Sequence, residues 1–384
     1  MRPEPIPERV AAALRELPSP ACAYVYDTAA LRATAAALRA ALPAGTTLLY
    51  AVKANGHPAV VRTLAAATDG LEVASGGELA LAVAAGARRV AIGGPAKTDR
   101  DLAAAVAAGA TIHVESRHEL RRLAVVAGGR AATIALRVNR RGAGPAGSHR
   151  MTGTPTPFGI DEDGLPDAAA LARSLPGLDL VGFHLHAVSN NLDAAAHAAF
   201  IEDALDWSLG AAARAGFPLR YVNAGGGFGV DYTGAAAFDP AALSGIAVPD
   251  GVELAVEPGR YLAAAAGWYA AEVLDLKRTH GRWFAVLRGG THHFRLPAAW
   301  GYSHPFTVLP VDRWPYPFPR PEIRDTTVDA VGELCTPRDV LARDHPVARL
   351  RAGDLLVFPR TGAYGWDISH REFLRHPYPE MVVL

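Results

Sequence analysis

This chain of 384 residues has little cysteine, no net charge and no long uninterrupted apolar run. Its two cysteines, Cys22 and Cys335, are too few for a disulfide framework, and this scarcity fits a reducing compartment. Lysine plus arginine and aspartate plus glutamate both total 38. No overall charge therefore attracts the protein to nucleic acid or to an anionic membrane surface.

Targeting segments are missing as well. No apolar stretch of about 18 residues is free of charged and turn residues, so no membrane span is predicted. The opening segment, MRPEPIPERVAAAL, contains three prolines and two glutamates and lacks the apolar core of a signal peptide. We therefore expect a soluble, cytoplasmic protein.

From residue 48 onward, short β-rich runs alternate with alanine-rich segments of helical periodicity. The runs are LLYAVK, GLEVAS, RVAIGG, TIHVES, TIALRVN, LVGFHLH, YVNAGGG and VELAVEPG. Strands that alternate with helices form a parallel sheet, and eight of them predict a closed (β/α)8 barrel of the TIM type. We assign residues 28–266 to this α/β barrel domain.

Most of these runs end in a side chain able to do chemistry. The first ends at Lys53, where a lysine has no packing role and costs desolvation unless its amine is paired or covalently bound. Active sites of such barrels lie at the carboxyl ends of the strands. We therefore expect one site that contains Lys53, Glu72, Arg137, His184, His186, Asn223, the glycine triplet 225–227 and Glu257.

Two segments depart from the alternation. Residues 140–164 are rich in Gly, Pro, Ser and Thr, and so long a connection predicts a mobile flap over the barrel mouth. After about residue 267 the runs RWFAVLRGG, TTVDAVGEL, DLLVFPR and EMVVL predict a mainly antiparallel β-barrel domain. The early run CAYVYD has no partner strand nearby and is expected to join that sheet. The β domain is then discontinuous and comprises residues 1–27 and 267–384.

The order of the motifs is similar to that of a known family. YVYD, YAVKAN, HLHAVSNN, NAGGGF, VEPGR, GELCTPRD and GAY follow one another over nearly the whole chain. In this order they resemble the fold-type III pyridoxal-phosphate decarboxylases, such as the ornithine, arginine and diaminopimelate enzymes. The resemblance implies pyridoxal 5'-phosphate as cofactor, an alanine racemase-like fold, and loss of CO₂ from a small amino-acid-derived substrate.

The resemblance also implies roles for the residues around the cofactor ring. Lys53 matches the lysine that binds the cofactor covalently, and Glu257 matches the carboxylate that keeps the pyridine nitrogen protonated. His186 matches the imidazole stacked on the ring and is counted with Lys53 among the catalytic residues. Glu72 and Arg137 fill similar family positions near the ring, although a structural ion pair in the barrel mouth would account for either.

A second group of residues matches the family's phosphate site. Gly225, Gly226 and Gly227 correspond to the phosphate loop, where absent Cβ atoms let backbone N–H groups approach the phosphate. The other residues matched on this side of the cofactor are Ser189, Arg260 and Tyr364.

Cys335 in GELC matches a cysteine that relatives present across a dimer interface. There it would deliver a proton to the substrate carbon after CO₂ leaves. The resemblance therefore implies a homodimer in which each active site is completed by the partner subunit.

Three positions depart from the family pattern. The residue after the cysteine is usually acidic in ornithine and diaminopimelate enzymes, where it binds the distal ammonium group, and here it is Thr336. That change removes a counter-charge which a desolvated amine needs. Pro157 replaces a common lysine in the flap, and Val188 replaces a common glycine after the stacking histidine. We expect the last two changes to alter the shape of the site rather than its basic chemistry.

The stretch GGTHHFRLPAAWGYSHPF suggests how the substrate is recognised. In diaminopimelate enzymes an arginine in a similar stretch grips a substrate carboxylate, and here Arg295 lies close to His293. Together with CTPRD, the stretch resembles the siderophore-biosynthesis branch, whose substrates are amino acids coupled to citrate. We predict that His293, Arg295 and Thr336 bind substrate. No metal site is predicted, because the histidine spacing matches no ligand motif.

Other functions stay open at this point. A diaminopimelate or ornithine-type decarboxylase is the first alternative, and an amino-acid racemase or a non-catalytic homologue comes after it. Fold-type III racemases place an arginine at the pyridine nitrogen and use a tyrosine base, so Glu257 and Cys335 argue against a racemase. Non-catalytic relatives typically lose the lysine or the cysteine, and this chain keeps Lys53 and Cys335.

Overall fold

The computed structural model describes residues 5–142 and 144–384. This part of the chain divides into two compact units. The barrel unit consists of Leu31–Val230 and Ala236–Leu262. The β unit consists of the described residues up to Ala30 together with Asp231–Ala235 and Ala263–Leu384. These units differ from the predicted domains by a few residues at the junctions and by Asp231–Ala235, which belongs to the β unit.

Strands and helices are numbered along the chain. The strands are β1 Cys22–Tyr26, β2 Thr47–Ala51, β3 Gly70–Val73, β4 Val90–Ile92, β5 Thr111–Val114, β6 Ala132–Asn139, β7 His149–Arg150, β8 Ile160–Asp161, β9 Leu178–His184, β10 Val188–Ser189, β11 Tyr221–Asn223, β12 Glu253–Val256, β13 Gly267–Thr279, β14 Arg282–Leu287, β15 Thr307–Leu309, β16 Glu322–Val331, β17 Val340–Arg351, β18 Leu355–Phe358 and β19 Glu380–Val383. The α-helices are α1 Glu8–Arg15, α2 Thr28–Ala41, α3 Pro58–Ala67, α4 Gly76–Ala84, α5 Asp99–Ala107, α6 Arg117–Ala127, α7 Leu165–Ser174, α8 Ala194–Ala215, α9 Arg260–Ala263 and α10 Leu296–Trp300.

The barrel unit contains a closed sheet of eight parallel strands. Their order is β2, β3, β4, β5, β6, β9, β11 and β12, and β12 pairs again with β2. The strands coincide with the eight β-rich runs of the sequence, so the predicted (β/α)8 barrel is confirmed. Because all eight strands are parallel, their carboxyl ends lie at one face of the barrel.

Polar residues set the starts of the helices that surround the strands. Thr98 caps α5 by accepting from the N–H of Asp101, whose carboxylate accepts in return from the N–H of Thr98. Ser75 and Ser116 each accept an N–H bond from the first turn of α4 and α6. Helix α6 ends at Gly128, which adopts the left-handed conformation that glycine tolerates without strain.

One buried cluster of the barrel unit joins four neighbouring strands. It consists of Ala135 on β6, Val181 on β9, Tyr221 on β11 and Ala255 on β12. Next to it, a Cβ on Gly182 would lie 1.7 Å from the carbonyl oxygen of Tyr221. Only glycine therefore fits where β9 passes this part of β11.

The β unit contains a mainly antiparallel sheet in the order β15, β18, β13, β14, β16 and β17. Strand β1 adds to this sheet by pairing antiparallel with β13, from Cys22 opposite Ala271 to Tyr26 opposite Gly267. On its other side β1 pairs parallel with β19. The expectation that the early CAYVYD run joins a distant, discontinuous β domain is confirmed.

The described part of the connection at 140–164 carries two short strands. β7 pairs antiparallel with β10, with His149 opposite Ser189 and Arg150 opposite Val188. β8 extends the edge of β6 in parallel, with Ile160 opposite Val138. The function of the connection as a flap stays a prediction. Across the described ranges, no helix is both long and apolar enough to cross a membrane.

Candidate active site

Lys53 lies just beyond β2, in a single 3-10 turn formed by Val52–Ala54. Its Nζ donates a 2.9 Å hydrogen bond to Oε2 of Glu72 on the neighbouring strand β3. The Lys53 side chain is 41% exposed, whereas Glu72 is buried. Burial raises the pKa of Glu72, and the positive charge of Lys53 partly opposes that shift. The strand end thus holds an accessible amine beside a buried acid.

Arg137 on β6 forms a buried ion pair with a residue that the sequence analysis did not single out. Its Nη1 donates a 2.9 Å hydrogen bond to Oε1 of Glu115, which follows β5. Glu115 also accepts from the backbone N–H of Gly94 at 2.8 Å and of Gly159 at 2.9 Å. Glu115 therefore orients Arg137 and ties two loops of the barrel unit to it. Its position after the run TIHV is the signal that would have found it.

His186 follows β9 and is held by the glycine loop. The N–H of Gly226 donates to its Nδ1 at 3.0 Å. Burial lowers the pKa of His186 well below its ordinary value, and Lys53 and Arg137 lower it further. The ring is therefore neutral near pH 7, and a neutral imidazole whose Nδ1 accepts carries its proton on Nε2.

The glycine triplet after β11 admits no larger residue. A Cβ on Gly225, whose φ is +72°, would lie 2.4 Å from Nδ1 of His186. A Cβ on Gly226 would lie 2.5 Å from the carbonyl oxygen of Glu257, and one on Gly227 would meet another carbonyl oxygen at 2.7 Å. All three distances are shorter than a Cβ tolerates. The triplet is thus what allows this loop to pass so close to its neighbours.

Glu257 directly follows β12 and is buried. Nδ2 of Asn223, the last residue of β11, donates to its Oε1 at 2.7 Å. Oδ1 of Asn223 accepts from the N–H of Gly225 at 2.8 Å, and the N–H of Glu257 donates to the carbonyl of Gly225 at 2.8 Å. Asn223 therefore joins the acid to the glycine loop.

Two stacked histidines lie beside Glu257. The ring centroids of His113 on β5 and His184 on β9 are 4.1 Å apart, with 24° between the ring planes. Nε2 of His184 lies 3.3 Å from one carboxylate oxygen of Glu257, and Nδ1 of His113 lies 3.8 Å from the other. Burial lowers the pKa of both histidines well below the ordinary value. Sequence reasoning missed His113, because a histidine inside an apolar strand resembles a packing residue.

The remaining predicted residues of the barrel unit follow β9 and β12. Ser189 lies in β10, five residues beyond the end of β9 at His184. Arg260 begins α9 after the turn that follows Glu257, and it is buried. The barrel unit thus holds Lys53, Glu72, Arg137, His186, Ser189, Gly225, Gly226, Gly227, Glu257 and Arg260.

Cys335 and Thr336 lie in the β unit, in the loop between β16 and β17. Cys335 is exposed. The buried carboxylate of Asp339 closes this loop by accepting from the N–H of Leu334 at 2.8 Å, and it joins the loop to the segment after β14 by accepting from the N–H of Thr291 at 2.6 Å. The loop therefore holds Cys335 accessible on a backbone that is fixed at both ends.

The other predicted residues of the β unit differ in exposure. Arg295 is exposed at the start of α10, and Tyr364 is half-buried with φ of +53°. His293 is fully buried, and its Nδ1 lies 3.5 Å from Sγ of Cys22. Burial, with a smaller contribution from His292, lowers the pKa of His293 to about 2. A neutral, inaccessible ring argues against the predicted contact between His293 and substrate.

The family pattern described as "Pyridoxal-dependent decarboxylase, pyridoxal binding domain" matches residues 28–264. The chain belongs to the fold-type III pyridoxal-phosphate-dependent decarboxylases. This decarboxylase is a carboxy-lyase that uses pyridoxal 5'-phosphate and acts on a small amino-acid-derived molecule. The matched range nearly coincides with the barrel domain predicted at 28–266.

Two relatives cover almost all of the decarboxylase. It is 40% identical over 381 residues to the 2-[(L-alanin-3-ylcarbamoyl)methyl]-2-hydroxybutanedioate decarboxylase of Staphylococcus aureus, covering 95% of this chain and 94% of the relative. It is 34% identical over 380 residues to the diaminopimelate decarboxylase of Deinococcus radiodurans, covering 94% and 89%. Among solved structures, the diaminopimelate decarboxylase of Helicobacter pylori in complex with L-lysine superposes with a TM-score of 0.84. That structure is 23% identical, covers 97% of this chain and 93% of its own, and shows the same fold.

The barrel unit fits the family's cofactor. The glycine triplet lets the loop after β11 pass close to His186 and Glu257, and glycine-rich loops after a strand are typical of phosphate sites. Lys53 supplies an accessible amine, and Glu257 supplies a buried carboxylate. Both ring nitrogens of His184 are buried without a hydrogen-bond partner among the described residues. An accessible amine, a glycine-rich loop and a buried acid are groups that a pyridoxal-phosphate site uses.

Proposed function

We propose that this decarboxylase acts on an amino acid joined to a citrate-like polycarboxylate in siderophore biosynthesis. The observation that carries the proposal is the 40% identity over 95% of the chain to the S. aureus enzyme. The name of that enzyme's substrate describes an alanine unit attached through an amide to a hydroxylated polycarboxylate. Identity to the D. radiodurans diaminopimelate decarboxylase is lower, at 34%.

Thr336 supports this substrate class. A substrate with a free distal ammonium group needs a carboxylate partner when it is desolvated, and Thr336 provides a neutral hydroxyl at that position. In an amide-linked conjugate the distal nitrogen is uncharged and needs no such partner. Arg295 is exposed and cationic, which suits a carboxylate-rich substrate.

In this proposal several side chains and the glycine loop hold the cofactor. Lys53 would bind it covalently, His186 would stack on the ring, and Glu257 would accept a hydrogen bond from the protonated ring nitrogen. Gly225, Gly226, Gly227, Ser189, Arg260 and Tyr364 bind the phosphate. Pyridoxal phosphate, when bound, supplies the electron sink for the electrons that remain on the substrate carbon after CO₂ leaves. Arg137, fixed by Glu115, and Glu72, bonded to Lys53, orient the groups near the ring.

Cys335 is proposed to protonate the substrate carbon in the active site of the partner subunit. We expect Cys335→Ala to lower kcat on the order of 10² to 10⁴-fold, the usual contribution of a positioned proton donor. The visible absorbance of the bound cofactor should stay unchanged, because no cofactor-binding group is altered. Steady-state kinetics and an absorbance spectrum of the same sample check both expectations. Unchanged kinetics would remove Cys335 from the mechanism.

The shared site is tested by mixing two inactive variants. Lys53→Ala and Cys335→Ala subunits, unfolded together and reassembled in equal amounts, give heterodimers in which one of the two sites has both residues intact. Half of the dimers are then mixed, so about one quarter of the wild-type activity is expected. If each subunit supplied its own cysteine, the mixture would stay inactive.

The substrate proposal is tested by measuring CO₂ release from several amino acids. The citrate amide of 2,3-diaminopropionate should exceed diaminopimelate, ornithine, lysine and arginine in kcat/KM by at least about tenfold, the cost of one unpaired charge.

Thr336→Asp should raise kcat/KM for ornithine, because it restores the missing counter-charge. The uncharged control Thr336→Asn should not. Rapid turnover of ornithine by the wild-type enzyme would contradict the proposal and favour the ornithine or diaminopimelate class. Racemised product without CO₂ would favour a racemase.

A further inference from the structure

The surroundings of Glu257 contain a hydrogen-bonded network whose direction follows from its partners. A backbone N–H only donates, so the bond from Gly225 places Oδ1 of Asn223 toward the glycine loop. Nδ2 of Asn223 must then face its two other partners. It donates to Oε1 of Glu257 at 2.7 Å and to the hydroxyl oxygen of Tyr221 at 2.9 Å. The amide of Asn223 thus connects Glu257 to Tyr221, which lies on the same strand as Asn223.

Tyr221 continues the network to His113. Its hydroxyl lies 3.4 Å from Nε2 of His113, and burial keeps its pKa well above the ordinary value, so the phenol stays protonated. Because the oxygen already accepts from Asn223, its proton is directed to Nε2 of His113. The neutral His113 then carries its own proton on Nδ1, the nitrogen that lies 3.8 Å from Oε1 of Glu257. That distance is too long for a hydrogen bond, but the N–H dipole still favours a negative charge on the acid.

Both carboxylate oxygens of Glu257 have polar neighbours in this network. Asn223 donates to Oε1, His113 presents an N–H to the same oxygen, and Nε2 of His184 lies 3.3 Å from Oε2. Asn223, Tyr221 and His113 are at most 5% exposed, so water does not screen these interactions. A carboxylate held by these neighbours is oriented to accept a hydrogen bond from a protonated ring nitrogen.

Three side chains of this network, His113, His184 and Glu257, lie close enough together to bind a metal ion. The ring geometry argues against that use. Lone pairs of imidazole lie in the ring plane, and the two rings are stacked face to face at 4.1 Å with only 24° between their planes. A metal bound by both rings would have to lie in both ring planes. These planes meet much farther from the nitrogens than the distance of about 2.0–2.1 Å at which histidine binds zinc.

We propose that His113 and Tyr221 are positioning residues that, through Asn223, keep Glu257 ionised and oriented toward the ring nitrogen of the cofactor. This inference rests on the proposed role of Glu257. When donors to a carboxylate are removed, the carboxylate binds a proton more tightly. A proton shared between Glu257 and the ring nitrogen would then move toward Glu257, and the electron sink would weaken.

The test measures the proton on the ring nitrogen directly. Wild-type protein and variants are loaded with pyridoxal phosphate labelled with ¹⁵N in the ring, and the ¹⁵N chemical shift is followed with pH. Tyr221→Phe removes one hydroxyl, and His113→Phe keeps a stacked ring without nitrogens. Each should move the ring ¹⁵N signal near pH 7 toward that of an unprotonated pyridine, because the ratio of protonated to unprotonated ring falls about three- to tenfold, the effect of one ordinary hydrogen bond. Ser208→Ala, which removes a buried hydroxyl bonded to Ala204 in α8, should leave the signal unchanged.

Glu257→Gln separates failure of this inference from failure of the proposed role of Glu257. It should convert the ring signal to that of an unprotonated pyridine. If Glu257→Gln acts in this way and the Tyr221 and His113 variants match wild type, the inference is overturned and the role of Glu257 stands. If Glu257→Gln also matches wild type, the role itself is overturned. A neutron structure of the wild-type protein, which needs no variant to fold, should show the proton of His113 on Nδ1. A proton on Nε2 would overturn the network.

Discussion

Lys53→Ala is expected to abolish both turnover and the visible absorbance of the bound cofactor. In the proposed mechanism the Lys53 amine is the nucleophile that binds the cofactor, and loss of a covalent catalytic group typically lowers kcat on the order of 10⁴-fold or more. The substitution also leaves the buried carboxylate of Glu72 without its 2.9 Å partner. Absorbance spectra of the loaded protein and CO₂ release measured on the same samples check the two effects.

Two further lysine variants separate the amine from its charge. Lys53→Arg keeps a positive charge beside Glu72 but has no nucleophilic amine, so it should be as inactive as Lys53→Ala. Lys277→Ala changes an exposed lysine on β13 and should match wild type. Activity of Lys53→Arg near the wild-type value would show that position 53 supplies charge rather than a covalent bond.

Gly225→Ala is expected to have the largest effect among single-methyl additions to the barrel unit's candidate site. The new Cβ would lie 2.4 Å from Nδ1 of His186, at a position with φ of +72°. Overpacking costs about 1–3 kcal/mol, and a left-handed alanine adds about 1–2 kcal/mol. Because the clash would displace both the glycine loop and His186, which we propose stacks on the cofactor ring, cofactor affinity should fall at least about tenfold.

Gly45→Ala is a matched control within the barrel unit. Gly45 has φ of +80°, but no heavy atom lies within 4 Å of its added Cβ. This variant therefore carries the cost of the left-handed conformation without the steric contact. Denaturant midpoints of the two cofactor-free variants compare their stabilities. Titrations with the cofactor compare their cofactor affinities. Equal stability and equal cofactor affinity of the two variants would show that the space around Gly225 is not restricted.

Much of the fold was predictable, because the eight barrel strands are short apolar runs buried on both faces. The β unit was harder to predict. Strand β17 places Pro346 and several charged residues among apolar ones, since one face of the strand is exposed. Strand β13 changes from buried to exposed residues along its length and was not predicted as a separate strand. Runs with such mixed patterns are difficult to distinguish from loops.

The candidate site was predictable where a residue follows a strand and matches a family motif, as Lys53 and Glu257 do. Glu115 and His113 were missed, because their partners Arg137, Tyr221 and Glu257 come from other strands. Only barrel closure brings these residues together. For His293, contact with substrate stays a prediction, and burial of its ring with a lowered pKa could not be read from a histidine-rich segment.

The most direct test of the covalent role of Lys53 is to locate the amine that holds the cofactor. The chain has three lysines, Lys53, Lys97 and Lys277. Borohydride reduction of the loaded protein makes the cofactor bond permanent, and peptide mass mapping then locates the phosphopyridoxyl group. We predict a single adduct on Lys53. An adduct on Lys97 or Lys277 instead, or no adduct on a protein that decarboxylates its substrate, would contradict this account.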